Sequence, residues 1–194
     1  MLAASALMRT WKHCQIEKFK DYSLKAVYFT INHQNEDGSW YYWAPPFTLK
    51  YKIDNYHTGF ILEAFHEIIK VYPKDKRILK AYHEGVGFYL NNFFKNEKIA
   101  KMEPDKIYPI DIQSLAQSII TLNLIESDFP ENTEIAKLRD NVLNWTLANF
   151  QKESGSFRYK LYKNGKYDNN SYIRWGESWM FHALALTLNR QNRG

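Results

Sequence analysis

A short pattern that occurs twice constrains the fold of this chain more than any other feature. Residues 34–40 and 151–157 both place Gln, Gly and an aromatic residue at their first, fifth and seventh positions. Each copy follows a helix-like stretch and precedes an aromatic segment and a second helix-like stretch. Because a repeated unit of about this size usually means stacked helical hairpins, the repeat predicts an all-α architecture.

Apolar residues recur at spacings of three and four in seven stretches, which predicts seven helices. The predicted helices cover residues 1–13, 18–33, 54–71, 76–94, 111–125, 133–150 and 173–188. Between these helices, segment 39–53 is predicted to be a short hairpin with an irregular loop, 95–108 a loop and 158–172 a Tyr-rich hairpin. The helices alternate as outer and inner members of three hairpins, preceded by one inner helix. A chain that starts on an inner helix is predicted to be the C-terminal part of a longer protein.

Length and charge exclude several classes of protein. A chain of 194 residues predicts one domain over residues 1–194. The net charge is +5, but basic and acidic residues are interspersed without a dense Lys/Arg block, so nucleic acid is not an expected partner. The apolar start is too short for a signal peptide or a membrane span. These features predict a cytoplasmic protein.

Cys14 is the only cysteine. A single cysteine excludes an internal disulfide and a multi-cysteine zinc site, and no HExxH pattern is present. Its apolar helical surroundings predict a packed thiol rather than a nucleophile. We therefore expect no metal site and no cofactor.

Four motifs carry a resemblance to known proteins. They are QNEDGSW at 34–40, IDNYHTG at 53–59, YPIDIQSLAQ at 108–117 and IRWGESWMFHAL at 173–184. On these motifs the chain resembles the (α/α) toroid proteins of the six-hairpin glycosidase type. More narrowly, it resembles an uncharacterised family of bacterial and archaeal proteins found alongside polysaccharide-synthesis functions.

The resemblance implies an all-α fold, a partial (α/α) toroid of antiparallel helical hairpins with short β-hairpins at the loops. A full toroid of this type has six hairpins, whereas this sequence predicts three and a leading helix. An incomplete ring would expose the apolar edges of its terminal helices. We therefore expect a homo-oligomer formed through those helices.

The inner helices of a toroid direct their N-terminal ends toward one face, where backbone N–H groups and dipoles suit carboxylates or sugar hydroxyls. Candidate residues at these ends should therefore converge. The candidate catalytic residues are Asp54, His57, Asp111 and Glu177, and the candidate substrate-binding residues there are Asn55, Gln113 and Arg174.

Each candidate also has a structural interpretation. Asp54 and Asp111 are expected either to cap inner helices or to act as acid and base on a glycosidic bond. His57 is expected to be a base, a hydroxyl ligand or a packed helical histidine. Glu177 is either an acid between two tryptophans or the ion-pair partner of Arg174, which could alternatively bind a uronate carboxylate or a sugar phosphate.

Aromatic residues complete the candidate site because their faces stack on the C–H faces of sugar rings. The candidates are Trp40, Tyr42, Trp43, Tyr159 and Trp175. Packing of the hairpins is the alternative role for these rings. In the repeated pattern, the glycine is expected to form a tight turn while Gln and Trp join one hairpin to the next.

Three functions remain open from the sequence. The first is binding or processing of a saccharide, with glycoside hydrolase, lyase or epimerase chemistry and a substrate that could contain uronate. The second is a noncatalytic helical-repeat scaffold that holds a protein or glycan. The third is an isoprenoid-handling toroid, because the Gln-x-x-x-Gly-x-Trp spacing is similar to that of terpene cyclases; it predicts a deep cavity with few polar groups.

Overall fold

The computed structural model describes residues 1–43 and 52–191. Within these ranges the chain forms seven α-helices, five two-residue strands and one π-helical turn. The helices are α1 (Leu2–Cys14), α2 (Glu17–Asn32), α3 (Asn55–Val71), α4 (Lys76–Asn92), α5 (Ile112–Asp128), α6 (Thr133–Phe150) and α7 (Ser178–Gln191). The strands are β1 (Phe94–Lys95), β2 (Ile99–Ala100), β3 (Ile110–Asp111), β4 (Lys160–Leu161) and β5 (Tyr167–Asp168), and the π turn is Ile173–Glu177.

The chain divides into two compact units. Unit 1 comprises Met1–Ile53 and His57–Asn91, and unit 2 comprises Asp54–Tyr56 and Asn92–Gly194. The expectation of a single domain over residues 1–194 stays a prediction.

All seven helices occur where the sequence predicts them, and their ends differ from the predictions by a few residues. The predicted loop at 95–108 instead begins with an antiparallel hairpin, in which β1 pairs with β2. The predicted hairpin over 39–53 lies largely outside the described residues. The last inner helix begins with the π turn, which the periodicity did not predict.

In unit 1, α1 packs against α2. Met8 and Val27 are fully buried at this contact, and the Ser23 hydroxyl donates a 2.8 Å hydrogen bond to the carbonyl of Ala4. Small residues allow α1 to approach α2 closely. Cys14, however, is exposed at the end of α1. The expectation of a packed thiol is therefore wrong, because the helix buries a face that ends before this residue.

The first copy of the repeated pattern, residues 34–40, forms a tight turn against α4. Gly38 has φ +87°, and a Cβ added there would lie 2.4 Å from the carbonyl oxygen of Glu84. The side-chain amide of Gln34 donates to the carbonyls of Gly38 at 3.0 Å and Ala81 at 2.9 Å. The turn therefore joins α2 to α4, as the sequence predicts for the Gln and Gly positions.

The second copy, residues 151–157, has the same backbone hydrogen bonds in unit 2. Gly155 has φ +85°, and the Gln151 side-chain amide donates to its carbonyl at 3.4 Å. The Lys152 N–H donates to the carbonyl of Ser156 at 2.8 Å, just as the equivalent N–H does in the first copy. A Cβ added to Gly155 would meet no atom of the described residues within 4 Å, so a side chain at this glycine causes no steric clash there.

In unit 2, α5 is the central helix and packs against both α6 and α7. Leu115, Ile119 and Leu122 are fully buried along it. The Asn123 side-chain amide donates a 3.0 Å hydrogen bond to the Thr187 hydroxyl, which joins α5 to α7. Strands β3, β4 and β5 form an antiparallel sheet, and Asp111 on β3 lies opposite Lys160 on β4.

The helices and short hairpins confirm the predicted fold class, an all-α partial (α/α) toroid. In the part of the chain that the structure describes, no helix has the length and apolar composition needed to cross a membrane.

Candidate functional site

Unit 1 contains a cavity of about 770 Å³. It lies beside the end of α2, the first turn and the start of α3. The lining residues are Met1, Leu2, Ala3, Phe29, Thr30, Asn32, His33, Gln34, Asn35, Trp40, Tyr41, Tyr42, Trp43, His57, Phe60 and Ile61. Four of the predicted site residues, Trp40, Tyr42, Trp43 and His57, therefore meet at one cavity.

Exposed aromatic rings form part of this lining. Tyr42 is 40% and Trp43 is 49% exposed, and their ring centroids are 4.8 Å apart. Tyr42 also contacts the His57 ring edge to face, at 4.3 Å between centroids. Large aromatic surface left open to solvent at a cavity is typical of a binding site.

Trp40 differs from its neighbours because it is 4% exposed. Its indole N–H donates to the carbonyl of Thr30 at 3.0 Å, and a Cβ on Gly85 would lie 2.6 Å from its ring. The predicted joining role of this tryptophan is therefore confirmed.

The end of α2 contributes two aromatic cavity residues that the sequence patterns did not indicate, Phe29 and His33. Their rings lie 4.2 Å apart with an interplanar angle of 31°. The His33 Nδ1 lies 2.7 Å from the carbonyl oxygen of Phe29. In the sequence, these two residues are recognised as a pair of aromatic rings spaced by four at a helix end. The pair lies directly before the repeated pattern.

In unit 2, Asp111 is the N-cap of α5, as the structural interpretation predicted. Its carboxylate accepts hydrogen bonds from the Ser114 N–H at 2.9 Å and the Ser114 hydroxyl at 3.0 Å. The Tyr56 hydroxyl donates a third bond, at 3.0 Å. Asp111 is 1% exposed. Burial raises the pKa of its carboxyl, and the hydrogen bonds from Ser114 and Tyr56 oppose that rise only in part.

Tyr56 donates a hydrogen bond to Asp111 and is also affected by the charge of Asp54. Burial raises the pKa of its phenol, and the charges of Asp111 and Asp54 raise it further. The phenol therefore stays protonated and acts as a hydrogen-bond donor. Asp54 is itself buried, directly before α3.

Asn55 is a correction to the sequence prediction. This residue is fully buried, and its side-chain amide donates to the Lys101 carbonyl at 3.0 Å and the Ser118 hydroxyl at 3.1 Å. Its amide therefore holds the loop before α5 and is not exposed to a ligand. In a sequence, a polar residue at a helix start is compatible with ligand binding and with a buried structural role. The pattern therefore could not distinguish these two roles.

The remaining aromatic candidates form a row on the surface of unit 2. The Tyr159 and Tyr172 ring centroids are 4.6 Å apart, and those of Tyr172 and Trp175 are 5.8 Å apart. The carbonyl of Tyr159 accepts a 2.9 Å hydrogen bond from the Ile112 N–H, which holds this row at the start of α5. Lys160 lies over the Tyr159 ring at 4.6 Å.

The π turn carries the last two candidates, Arg174 and Glu177. Buried Gly176 holds this turn against α5, because a Cβ there would lie 3.2 Å from the Ile112 side chain. Glu177 accepts a 2.9 Å hydrogen bond from the Phe157 N–H. Arg174 is exposed and forms no salt bridge within residues 1–43 and 52–191. The predicted Arg174–Glu177 ion pair is therefore not formed, because Glu177 binds the second turn instead.

The candidates thus form two groups. Unit 1 contains Trp40, Tyr42, Trp43 and His57, and unit 2 contains Asp54, Asn55, Asp111, Gln113, Tyr159, Arg174, Trp175 and Glu177. Gln113 lies half-buried in the first turn of α5. Among the described residues, no group of three or more His, Cys, Asp or Glu side chains is placed to hold a metal ion.

No protein-family model matches the sequence, and no curated protein sequence matches it. Solved structures do match the fold. A sugar epimerase from a ruminal bacterium has a TM-score of 0.75 at 8% identity, covering 96% of this chain and 51% of that protein. An unsaturated glucuronyl hydrolase from Streptococcus agalactiae has a TM-score of 0.70 at 15% identity, covering 95% and 56%. A D-mannose isomerase has a TM-score of 0.65 at 12% identity, covering 85% and 45%.

These similarities show the fold. It is the (α/α) toroid, which confirms the fold that the resemblance in the motifs implies. The chain spans about half the length of the solved structures it matches. The association with polysaccharide synthesis stays a prediction.

Proposed function

We propose that this protein binds a saccharide in the cavity of unit 1, as part of polysaccharide metabolism. The observation that carries the proposal is the pair of exposed rings, Tyr42 and Trp43, on a cavity of about 770 Å³. This volume lies within the range of small-molecule sites. Open aromatic faces provide stacking surfaces for the C–H faces of sugar rings.

Polar groups in the lining favour a saccharide over an isoprenoid. An isoprenoid site is expected to be deep and to contain few polar groups. This cavity instead has Asn32, His33 and His57 among its lining residues. Side chains of this kind exchange hydrogen bonds with hydroxyl groups. Within this proposal His57 is a base or a hydroxyl ligand, and its contact with Tyr42 orients its ring.

The proteins of known structure that share this fold also support the saccharide class. They are a sugar epimerase, an unsaturated glucuronyl hydrolase and a D-mannose isomerase. At 8 to 15% identity they add support at the level of the fold.

Independently of the unit 1 cavity, we propose that polar groups of unit 2 act as acid and base on a saccharide. Glu177, whose side chain is only partly buried, is the group assigned to donate a proton. Asp54 and Asp111 are the further carboxylates, and Arg174 is the group that would bind a uronate carboxylate. The reaction classes are attack on a glycosidic bond or proton abstraction beside a uronate carboxyl. Tyr159 and Trp175 would stack on the sugar, and Gln113 would bind a hydroxyl.

Titration calorimetry with neutral and uronate-containing oligosaccharides tests the binding proposal. We expect Tyr42→Ala to weaken binding of the saccharide that the protein takes by about tenfold, the effect of losing one stacking ring. Tyr22→Ala is the matched control, because Tyr22 is 49% exposed on α2 and is not a cavity residue. Equal affinities for both variants and the unsubstituted protein would reject the cavity as the site.

Turnover of the saccharides that bind tests the catalytic extension separately. We expect Glu177→Gln to abolish release of reducing ends or epimerised product while the saccharide still binds. Unchanged turnover after combined substitution of His57, Asp111 and Glu177 would remove the acid–base proposal and leave the binding proposal in place.

A further inference from the structure

The aromatic row of unit 2 has a middle member, Tyr172, that the sequence patterns did not indicate. Its ring centroid lies 4.6 Å from that of Tyr159 and 5.8 Å from that of Trp175. Among the described residues, the Tyr159 and Trp175 rings make no contact with each other. The three rings therefore follow one another, and the row is longer than a single side chain.

Backbone contacts hold this row at the start of α5. The Ile112 N–H donates a 2.9 Å hydrogen bond to the Tyr159 carbonyl. In the π turn, the Tyr172 carbonyl accepts from the Gly176 N–H at 2.8 Å and from the Glu177 N–H at 3.2 Å. Gly176 in turn lies against the Ile112 side chain. A row that is fixed before a ligand arrives loses little conformational entropy on binding.

The polar atoms of the row are available to a ligand. Within residues 1–43 and 52–191, the Tyr159 and Tyr172 hydroxyls and the Trp175 indole N–H form no hydrogen bond. Trp175 is 46% exposed, and the two tyrosines are half-buried. The Lys160 ammonium lies over the Tyr159 ring at 4.6 Å and forms no salt bridge within the same ranges.

This combination of groups fits a sugar better than a purely apolar partner. A sugar ring presents C–H groups on its faces and hydroxyls around its edge. The C–H faces stack on aromatic rings, while phenol, indole and ammonium groups exchange hydrogen bonds with the hydroxyls. An aliphatic ligand would instead cover these polar groups and leave them without hydrogen bonds, which costs free energy.

The extent of the row sets the length of the ligand. One aromatic side chain stacks on one sugar ring at a time, so a monosaccharide contacts only part of the row. The π turn that carries Tyr172 and Trp175 also carries Glu177, the proposed proton donor. The row and the donor are therefore held by the same element.

We infer that this row binds a saccharide chain of at least two consecutive sugar residues, with Tyr172 as its central contact. The inference rests on the proposed acid–base function of unit 2 and names its substrate class, an oligosaccharide rather than a free monosaccharide.

A series of saccharides of increasing length tests the inference. Titration calorimetry compares gluco-, manno- and galacturono-oligosaccharides of one to four residues. In the series that binds, we expect the trisaccharide to bind at least about tenfold more tightly than the monosaccharide, because a second sugar stacks on the row. Equal affinity at all lengths would overturn the inference.

Substitutions assign this gain in affinity to the row. We expect Tyr172→Ala to remove most of the gain and Tyr172→Phe, which keeps the ring, to retain it. Tyr162→Ala is the matched control, because Tyr162 is 43% exposed in the turn between β4 and β5. Among the described residues, its ring contacts no member of the row.

A second variant covers a loss of structure. If circular dichroism shows that Tyr172→Ala lowers the helical content, Trp175→Ala at the exposed end of the row replaces it and should also remove the gain. A gain that survives in a correctly folded Tyr172→Ala or Trp175→Ala variant would overturn the inference.

Tyr42→Ala distinguishes this site from the cavity of unit 1. We expect the gain with chain length to persist in Tyr42→Ala. A gain that is lost in Tyr42→Ala and kept in Tyr172→Ala would assign the chain to the cavity, so the inference would fail and saccharide binding would stand. Turnover that depends on Glu177, with equal affinity at all lengths, would leave the acid–base proposal in place without the inference. If no saccharide binds, the proposed function itself fails.

Discussion

At the scale of single residues, the best-defined polar group is the Asp111 carboxylate. It combines an ordinary structural role, the N-cap of α5, with an environment that favours its protonated form. Burial opposes ionisation, while three hydrogen-bond donors from Ser114 and Tyr56 favour it. Its pKa is raised, so burial outweighs the hydrogen bonds.

A pH-dependent stability difference follows from this environment. Because the folded-state pKa of Asp111 lies above its ordinary value of 3.8, the folded protein binds this proton more tightly than the unfolded chain does. That contribution is present at low pH and is lost as pH rises from 3.8 through the folded-state pKa. Asp111→Asn keeps an acceptor for the Ser114 N–H but has no proton to lose. We expect the free energy of unfolding of the unsubstituted protein, relative to this variant, to fall across that interval.

Urea unfolding of both proteins at a series of pH values from 3 upward measures this difference. Asp111→Ala is the companion variant, since it removes the cap and should cost about 1 to 2 kcal/mol at neutral pH. A relative stability of Asp111→Asn that does not change with pH would contradict the raised pKa.

The sequence was sufficient to predict Asp111 as a helix cap, because an Asp before an apolar helix is a local signal. It could not predict the contact with Tyr56, whose hydroxyl comes from 55 residues earlier in the chain. It likewise missed His33, because the significance of that residue arises from its stacking on Phe29 and its place in the cavity lining. Asn55 was assigned wrongly since its burial depends on distant residues such as Ser118.

At the scale of elements, the two copies of the repeated turn have similar backbones and different surroundings. Gly38 and Gly155 have φ of +87° and +85°. Only in the first copy does the glycine lie against another helix, with the Glu84 carbonyl oxygen 2.4 Å from an added Cβ. The two glycines therefore separate the cost of backbone strain from the cost of steric contact.

We expect Gly38→Ala to destabilise the protein more than Gly155→Ala. The positive φ alone costs roughly 1 to 2 kcal/mol for an alanine, and this applies to both variants. The contact with Glu84 adds about 1 to 3 kcal/mol at Gly38, where backbone must move. Chemical denaturation with circular dichroism measures both values. Equal losses of stability would show that α4 does not rest against the first turn.

Local sequence signals also account for most of the elements. Helical periodicity predicted all seven helices, and the Gly spacing predicted both turns. The pairing of β3 with β4 could not be predicted, because a two-residue strand has no periodicity of its own and its partner lies about 50 residues away. The π turn could not be predicted from a helical periodicity of 3.6 either, since a π turn inserts an extra residue into the helix.

At the scale of the whole molecule, the π turn and α7 present exposed apolar side chains. Ile173 and Phe181 are 82% and 76% exposed, and Leu188 is also exposed. Rows of exposed large apolar residues favour association between chains. We therefore propose that the protein self-associates through this surface, as expected for an incomplete set of toroid hairpins.

Sedimentation velocity over a range of concentrations tests this proposal. We expect a mass above that of one 23.1 kDa chain, and Phe181→Glu should return the protein to one chain without loss of helical content. A mass of one chain at high concentration for the unsubstituted protein would contradict the proposal.

The sequence predicted the fold class of the molecule and much of the candidate site, because the recurring motifs mark the starts of inner helices. It also predicted one convergent set of residues, and that convergence stays a prediction. Tyr42 and His57 line a cavity of unit 1, and Asp54, Asp111 and Arg174 belong to unit 2. The cavity lining could not be predicted, since it depends on contacts between residues that are distant in the sequence.

A crystal structure of the protein with the tightest-binding saccharide tests the central claim most directly. We predict a sugar ring in the unit 1 cavity, in contact with Tyr42 or Trp43. A sugar bound outside this cavity, with the Tyr42 and Trp43 rings uncovered, would contradict the account.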